Sequence, residues 1–530
     1  MKMRSELATY SSILTQFSYL HSLLNKFPVR GTPLRQRRIA FTYLVQHRFF
    51  ALFYGFWAAW FQRLGAEVTI IYDDNQLDII DAIHYRHIRS SSGQTPLLNP
   101  YRRWLMRWKS PFLKWALSRY FPAIQWRALS TVLSDAPNNA LTDPEYDRFI
   151  NPHVFASLVR FFEKDNLSED TTLPVERFQK RYRQHALQIF RMGKWITSVL
   201  RPHLIISHHG FYTTWGPAYD WVADCGIARR VLKPYSYAGE QYGLITSNDD
   251  IYALTDADKQ SIRSLDLTPK QIQEVEDFMN QRMKGKGIDV RHLYGHRIQN
   301  AHPTISSFAQ RIRHTSPHAR IIGLFPNVIW DANLQKSHRV FNGLLDWIRS
   351  TIEWADKVPH GVIIRIHPSE ATVMRGTYSL ADEIQKMHVD TSKVLIIPAE
   401  DPVSSYWLIQ QVLDTAVVYT GFLGVEAAYL GKPTLTAAYS PYSELGVLHE
   451  PSDKMHYFTL LNQPHLDPPP DAAHNARRII YYLIRHFRWS FPMIRATPQG
   501  GRNVDLRRVR AEHLQSDEMD RVLHRIFNIP

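Results

Sequence analysis

Between residues 321 and 438 the chain passes through five short, almost uninterrupted apolar stretches. These are IIGLFP (321–326), VIIRI (362–366), VLIIP (394–398), AVVYT (416–420) and PTLTAA (433–438). Runs this short, rich in β-branched residues and without alternation, suit parallel strands buried on both faces. Parallel strands cannot be joined by hairpins, so helices must lie between them and cover the sheet. The first half carries the same signature: RIAFTYLV (38–45), an aromatic helix ending near Gly65, AEVTIIYDD, HLIIS (203–207) and RRVLKP. The expected fold class is therefore α/β, with two Rossmann-like domains facing a central cleft. The expected boundaries are a helical leader at 1–34, an N-terminal domain at 35–300, a C-terminal domain at 301–485 and a helical tail at 486–530. Within the first domain, residues 75–200 read as a helical, basic insertion. The histidine-rich stretch 288–318 reads as a linker.

At 530 residues the chain is too long for one core, and with 44% hydrophobic and 21% charged residues its composition is that of a globular protein. Cys225 is the only cysteine, which excludes an internal disulfide framework and fits a reducing compartment. No Cys/His grouping has metal-ligand spacing, so no structural zinc is expected. Polar residues interrupt the apolar runs of the leader, which is therefore no secretory signal. Its Leu7, Ile13, Leu14, Phe17, Leu20, Leu24 and Phe27 fit one helix face. The run FFALFYGFWAAWF (49–61) has thirteen residues, short of the roughly 20 that a membrane-spanning helix needs, and reads as a buried helix.

Charge is unevenly spread. The chain carries a net +14, and its first 130 residues hold 18 Lys and Arg against 6 Asp and Glu. No acidic residue lies between Asp81 and Asp135, and within that gap residues 101–127 interleave Trp104, Trp108, Trp115 and Trp126 with arginine and lysine. Such a segment suits an anionic membrane surface, where each cation is worth roughly 1 kcal/mol. The other readings are a basic helical hairpin with tryptophans in its core, and a nucleic-acid surface. The preferred expectation is a cytoplasmic protein, peripheral on the inner face of the cytoplasmic membrane, without a nucleic-acid partner.

In an open parallel sheet, ligands bind beyond the carboxyl ends of the strands. Asn327 follows the first run of the second unit, His367 and Glu370 the second, Ser404 and Ser405 the third. Thr420 ends the fourth, and Gly421, Gly424 and Glu426 follow it within YTGFLGVEAAYLGKP. Hydroxyls donate to phosphate, the two glycines let backbone N–H groups approach a ligand, and a helix starting near Val425 directs its positive end there. His367, if cationic, neutralises further charge. Glu426 is the odd member, because a carboxylate repels phosphate; it fits as the acceptor for a ribose diol. Phosphate donors plus one diol acceptor describe a nucleotide. Taken singly, each signal has an ordinary alternative, such as chain reversal, a serine N-cap or a loop histidine.

IIRIHPSE, DPVSSYWLI and VVYTGFLGVEAAYLGKP, in this order and spacing, resemble the bacterial capsule and surface polysaccharide biosynthesis glycosyltransferases, a group that includes Kdo transferases. GLFPNVIWDAN and ISHHGFYTTWGPAYDW resemble further motifs of that group, so the likeness covers about residues 200–450. The resemblance implies the two-Rossmann architecture called GT-B. It also implies transfer of a sugar from a nucleotide-sugar donor, which is a substrate and not a cofactor, to a growing glycan or lipid-linked saccharide. By that resemblance His367 faces the donor phosphate, Ser404 and Ser405 line the phosphate site, and Glu426 holds the ribose.

An inverting transferase needs a base for the acceptor hydroxyl. SHHGFYTTWGP follows the strand HLIIS at its carboxyl end, so His208 or His209 can serve, with His209 favoured because Gly210 leaves space beside it. The Asp73–Asp74 pair, Asp74 in particular, is the alternative base. Helix ends and basic groups serve the leaving phosphate, so no metal is expected. Competing functions are a nucleotide-sugar epimerase or a polyol-phosphate transferase on the same architecture, and a non-catalytic, basic nucleic-acid-binding protein.

Overall fold

A computed structural model describes residues 2–27, 33–44, 48–77, 111–137, 141–162, 167, 175–237, 240–246, 254–284, 299–329, 338–371, 379–387, 389–496 and 502–527. The strands Arg38–Tyr43 (β1), Glu67–Tyr72 (β2), Gln125–Ala128 (β3), Leu204–Ser207 (β4) and Ala228–Tyr237 (β5) pair in parallel in the order β5-β4-β1-β2-β3. Glu240–Thr246 (β6) returns antiparallel beside β5. The second sheet joins Ile321–Phe325 (β7), Gly361–Arg365 (β8), Val394–Ile397 (β9), Thr415–Val418 (β10) and Thr434–Thr436 (β11), all parallel, in the order β11-β10-β7-β8-β9. Both units therefore share one doubly wound order, and in each the winding reverses between the first and fourth strands. That switch point is where an open α/β sheet leaves a crevice for a ligand.

The apolar runs form these strands because both sheet faces are covered: every residue of β7, β8 and β10 is buried. The aromatic run becomes a helix, Arg48–Arg63 (α2), with its described face residues buried nearly all round. The leader helix Lys2–Lys26 (α1) packs on it, and the Phe17 ring occupies the space that a Cβ at Gly55 would enter, 2.6 Å away. The leader is thus part of the first core, with Ile13, Phe17, Leu20, Leu24 and Phe27 buried.

Three expectations about organisation meet a different arrangement. The span 75–200 is not wholly an insertion, since its residues 125–128 are β3, the edge strand beside β2. QWRA is short and alternates exposed with half-buried positions, so it lacks the apolar run that marks the other strands. The stretch 288–318 is not all linker: Pro303–Thr315 is a helix that buries Ile305, Phe308, Ala309 and Ile312. Helices Asp256–Arg263 and Pro269–Met283, placed by the sequence in the N-terminal domain, instead share a core with the second sheet through Ile262, Val275 and Met279. The tail runs the other way: Arg488–Ser490 (β12) pairs with β6 of the first sheet, Trp489 packs on Trp57 at 5.2 Å, and Phe527 packs on Phe61 at 5.0 Å.

Candidate active site

At the switch point of the second sheet, the loops after β7 and β10 are joined directly. The Asn327 side-chain carbonyl accepts the Thr420 N–H at 3.1 Å. Tyr442 donates its hydroxyl to the carbonyls of Thr420, at 2.8 Å, and Gly421. The turn read as a ligand cradle is therefore held from both sides by side chains. Beside it, a Cβ built on Gly421 would stand 4.0 Å from the Asn327 oxygen, in open space.

Gly424 has a different role from the one its sequence suggests. Its N–H donates to the Gly421 carbonyl at 3.0 Å, and a Cβ there would lie 2.9 Å from a Val418 methyl and 3.3 Å from Leu448. Glycine is needed to seat the helix Leu423–Tyr429 on β10, not to admit a ligand. Gly424→Ala is expected to cost about 1–3 kcal/mol of stability by overpacking, read as a lower urea midpoint with an unchanged slope.

His367 lies two residues past the end of β8, next to β7 in the sheet, and is half-buried. Its Nδ1 accepts the Ser369 N–H at 3.1 Å. Burial, and then the neighbouring Arg365 guanidinium, pushes its pKa down to about 4. The ring is neutral at physiological pH, with its proton on Nε2, so it offers a hydrogen-bond donor and not the positive charge considered above. Arg365 is itself buried, and its guanidinium donates to the carbonyls of Pro398 and, at 2.8 Å, Asp401. It ties the end of β8 to the loop that leads from β9 to Ser404.

Ser404 is buried and caps the helical turn Ser405–Trp407, its oxygen accepting the Trp407 N–H at 3.3 Å. Ser405 begins that turn and is half-buried. Next to Ser404 opens a cavity of about 330 Å³, lined among others by Asn280, Met283, Lys284 and Trp407. Lys284 and Met283 come from the end of Pro269–Met283, so this helix forms one wall.

The same helix reaches Glu426. The carboxylate is buried and paired with the Arg282 guanidinium, so it is not the open ribose acceptor expected from sequence. Arg282 lies 144 residues away along the chain, and nothing local announced it. Glu370, also missed as a titrating group, is buried in the turn Pro368–Ala371 that follows His367 and accepts the Leu380 N–H at 2.9 Å; burial pushes its pKa up to about 7.

On the first sheet, the switch point lies between β1 and β4, and the loop after β4 carries His208 and His209. His209 Nδ1 accepts the N–H groups of Gly210 at 3.1 Å and Phe211 at 3.2 Å. In the neutral ring the proton then sits on Nε2, which makes His209 a donor and a poor proton acceptor. His208 packs its ring on Phe50 with centroids 3.9 Å apart. Asp74 is spent structurally, one oxygen taking the Ser130 N–H at 2.9 Å and the other the Ser130 hydroxyl. Its neighbour Asp73 is the buried one, and burial pushes its pKa up to about 7. Of the aromatic residues on this rim, Tyr212 and Trp215 are buried, as core packing requires.

Part of the basic segment is described. The helix at 111–120 buries Leu113, Ala116, Leu117 and turns Lys114, Trp115 and Arg119 outward, with Trp115 49% exposed. Trp126 lies half-buried in the edge strand β3, not in a helical hairpin, and packs on Tyr72 at 5.7 Å. Trp104 and Trp108 lie outside the described residues. Among the described residues, no helix is long and apolar enough to cross a membrane.

No family model and no curated protein matches the chain. Solved structures that resemble it include a KpsC β-Kdo 2,7 transferase from Thermosulfurimonas dismutans, at 11% identity and a TM-score of 0.32, over 57% of this chain and 81% of that one. A β-Kdo 2,4 transferase KpsC from the same organism matches at 11% and 0.34, over 58% and 86%. A UDP-GlcNAc 2-epimerase from Neisseria meningitidis matches at 12% and 0.19, over 84% and 95%. Likeness this loose fixes no residue correspondence, and the placement of the site rests on the strand order and side-chain contacts of this chain.

Proposed function

We propose that the protein is a glycosyltransferase that moves a sugar from a nucleotide-sugar donor to a surface polysaccharide or glycolipid acceptor at the cytoplasmic membrane face. The observation that carries this reading is the Asn327–Thr420 bridge at the switch point of the second sheet, with His367 in the loop after the adjoining strand β8. Three loops that the sequence ranked as ligand-binding thus meet along one rim. The donor phosphates lie against that rim, where the Nε2–H of His367 and the hydroxyl of Thr420 meet the charge that develops on the leaving group. The nucleoside end extends toward Ser404 and the adjoining cavity, whose amide and indole side chains suit a base. Glu426 serves the site by holding Arg282, and with it one wall of that cavity.

The acceptor approaches from the first sheet. With His209 restricted to donating, His208 takes the acceptor proton as the hydroxyl attacks the anomeric carbon with inversion. The outward Lys114, Trp115 and Arg119 lie on an anionic lipid surface and keep the enzyme near a lipid-linked acceptor.

A thermal-shift screen with CMP, UDP, GDP and CDP tests the donor site, because a ligand that binds only the folded state raises Tm. One of the four is expected to raise it. His367→Ala, by removing a donor to a charged oxygen, is expected to weaken that nucleotide about 10- to 100-fold. A screen in which none of the four binds, or in which His367→Ala binds as the wild type does, sinks the donor site. Conversion of free donor without acceptor points to an epimerase instead, and donor phosphorus retained in the product to a polyol-phosphate transferase.

A further inference from the structure

Outside the donor rim, His153, on the helix Asn151–Phe162, is a buried polar group engaged through both ring nitrogens. Its side chain is 1% exposed. Nδ1 faces the Phe211 carbonyl and Nε2 stands 3.0 Å from a carboxylate oxygen of Asp220, whose other oxygen accepts from Arg229 at 2.8 Å. A carbonyl and a carboxylate can only accept. Both contacts are hydrogen bonds only when the ring carries a proton on each nitrogen. One turn along the same helix, Ser157 Oγ accepts the Thr213 N–H at 3.0 Å. The ring lies over Gly216, where a Cβ would fall 2.1 Å from Nδ1, so glycine at the start of Gly216–Asp224 is what lets the imidazole in.

The geometry points to His153 as a positioning residue, a doubly protonated clamp that fixes the loop bearing His208 and His209 against the helix Gly216–Asp224. Phe211 is three residues from His208, so a contact at its carbonyl acts on the loop that bears both histidines. Asp220 is the counter-charge, and Arg229, donating to its other oxygen, holds that carboxylate in place. The consequence for catalysis rests on the proposed glycosyl transfer; the clamp itself does not.

Three variants separate the cases. In the wild type, nitrogen-15 spectra of the histidine rings at neutral pH are expected to show two N–H groups for His153 and one for His209. His153→Gln, which cannot donate in two directions across the ring, is expected to speed amide exchange at Phe211–Trp215 by tenfold or more, while the amides of β7–β10 are unchanged. In a transfer assay it is expected to lower kcat while leaving KM for the donor within twofold. Gly216→Ala, which expels the ring without removing it, is expected to give the same exchange pattern, and Ser157→Ala a weaker version of it. A singly protonated His153, or loop exchange in His153→Gln equal to wild type, overturns the clamp whatever the enzyme does. A clamp confirmed by spectra and exchange in a protein without transfer activity overturns only the proposed reaction.

Discussion

Glu426→Ala is expected to cost the protein about 3–5 kcal/mol, because it leaves the Arg282 guanidinium in the interior without its carboxylate. The two side chains are 2% and 11% exposed, so water cannot take over the lost charge. The loss is measured without any ligand, as a fall in Tm and in denaturant midpoint. Arg282→Ala is expected to do comparable damage, and the double variant Arg282→Met with Glu426→Leu to recover most of it, since replacing a whole buried pair by apolar groups is often neutral. An open ribose acceptor behaves differently: its removal weakens nucleotide binding and leaves the unliganded protein as stable as before. That outcome for Glu426→Ala would discard the pair and restore the simpler reading.

Asp73→Asn is expected to flatten the dependence of stability on pH. In the folded protein burial holds the Asp73 carboxyl up at about 7, despite backbone N–H groups of Gln76 and Leu77 that work the other way. In the unfolded chain it titrates near 3.9. Below that value both states hold the proton and the stabilising contribution is complete. As pH rises, the unfolded chain ionises first, and stability falls by up to about 4 kcal/mol through pH 4–7 on account of this group. Glu370, also pushed up to about 7, adds a loss of the same sign. Asparagine keeps the size and the acceptor oxygen but cannot ionise. Urea midpoints at pH 5, 6, 7 and 8 should therefore diverge, with the variant ahead of the wild type above pH 7. Parallel midpoints across that range would show that Asp73 is ionised throughout.

Much of the strand inventory is legible because parallel strands buried on both faces leave a local mark. IIGLFP, VIIRI, VLIIP and AVVYT each match an observed strand to within a residue or two at either end. Edge strands escape that logic. QWRA of β3 faces solvent on alternate positions, and RWS of β12 is three residues long and pairs with a strand more than 240 positions earlier. The sites divide in the same way. Asn327, His367 and Thr420 could be ranked from position alone, since anything that ends a parallel strand stands at the ligand-binding rim.

What those residues do there was not readable from position. Whether His367 is charged depends on burial and on Arg365 beside it. Whether Gly424 serves a ligand or a packed helix depends on where Val418 and Leu448 stand. Whether Asp73 keeps its proton depends on its burial, while its neighbour Asp74 is engaged by Ser130, which lies 56 positions away. Glu426, a lone acid in a first helical turn when read along the chain, becomes half of an interior ion pair through Arg282.

The chain alone determined the α/β class, the succession of buried parallel strands and the rim at which chemistry collects, because hydrophobic periodicity is a property of neighbours in sequence. The tertiary structure alone decided protonation, pairing and which glycine is structural. Those follow from desolvation and from contacts that only folding makes, Arg282 with Glu426 across 144 positions among them, and no local pattern encodes them.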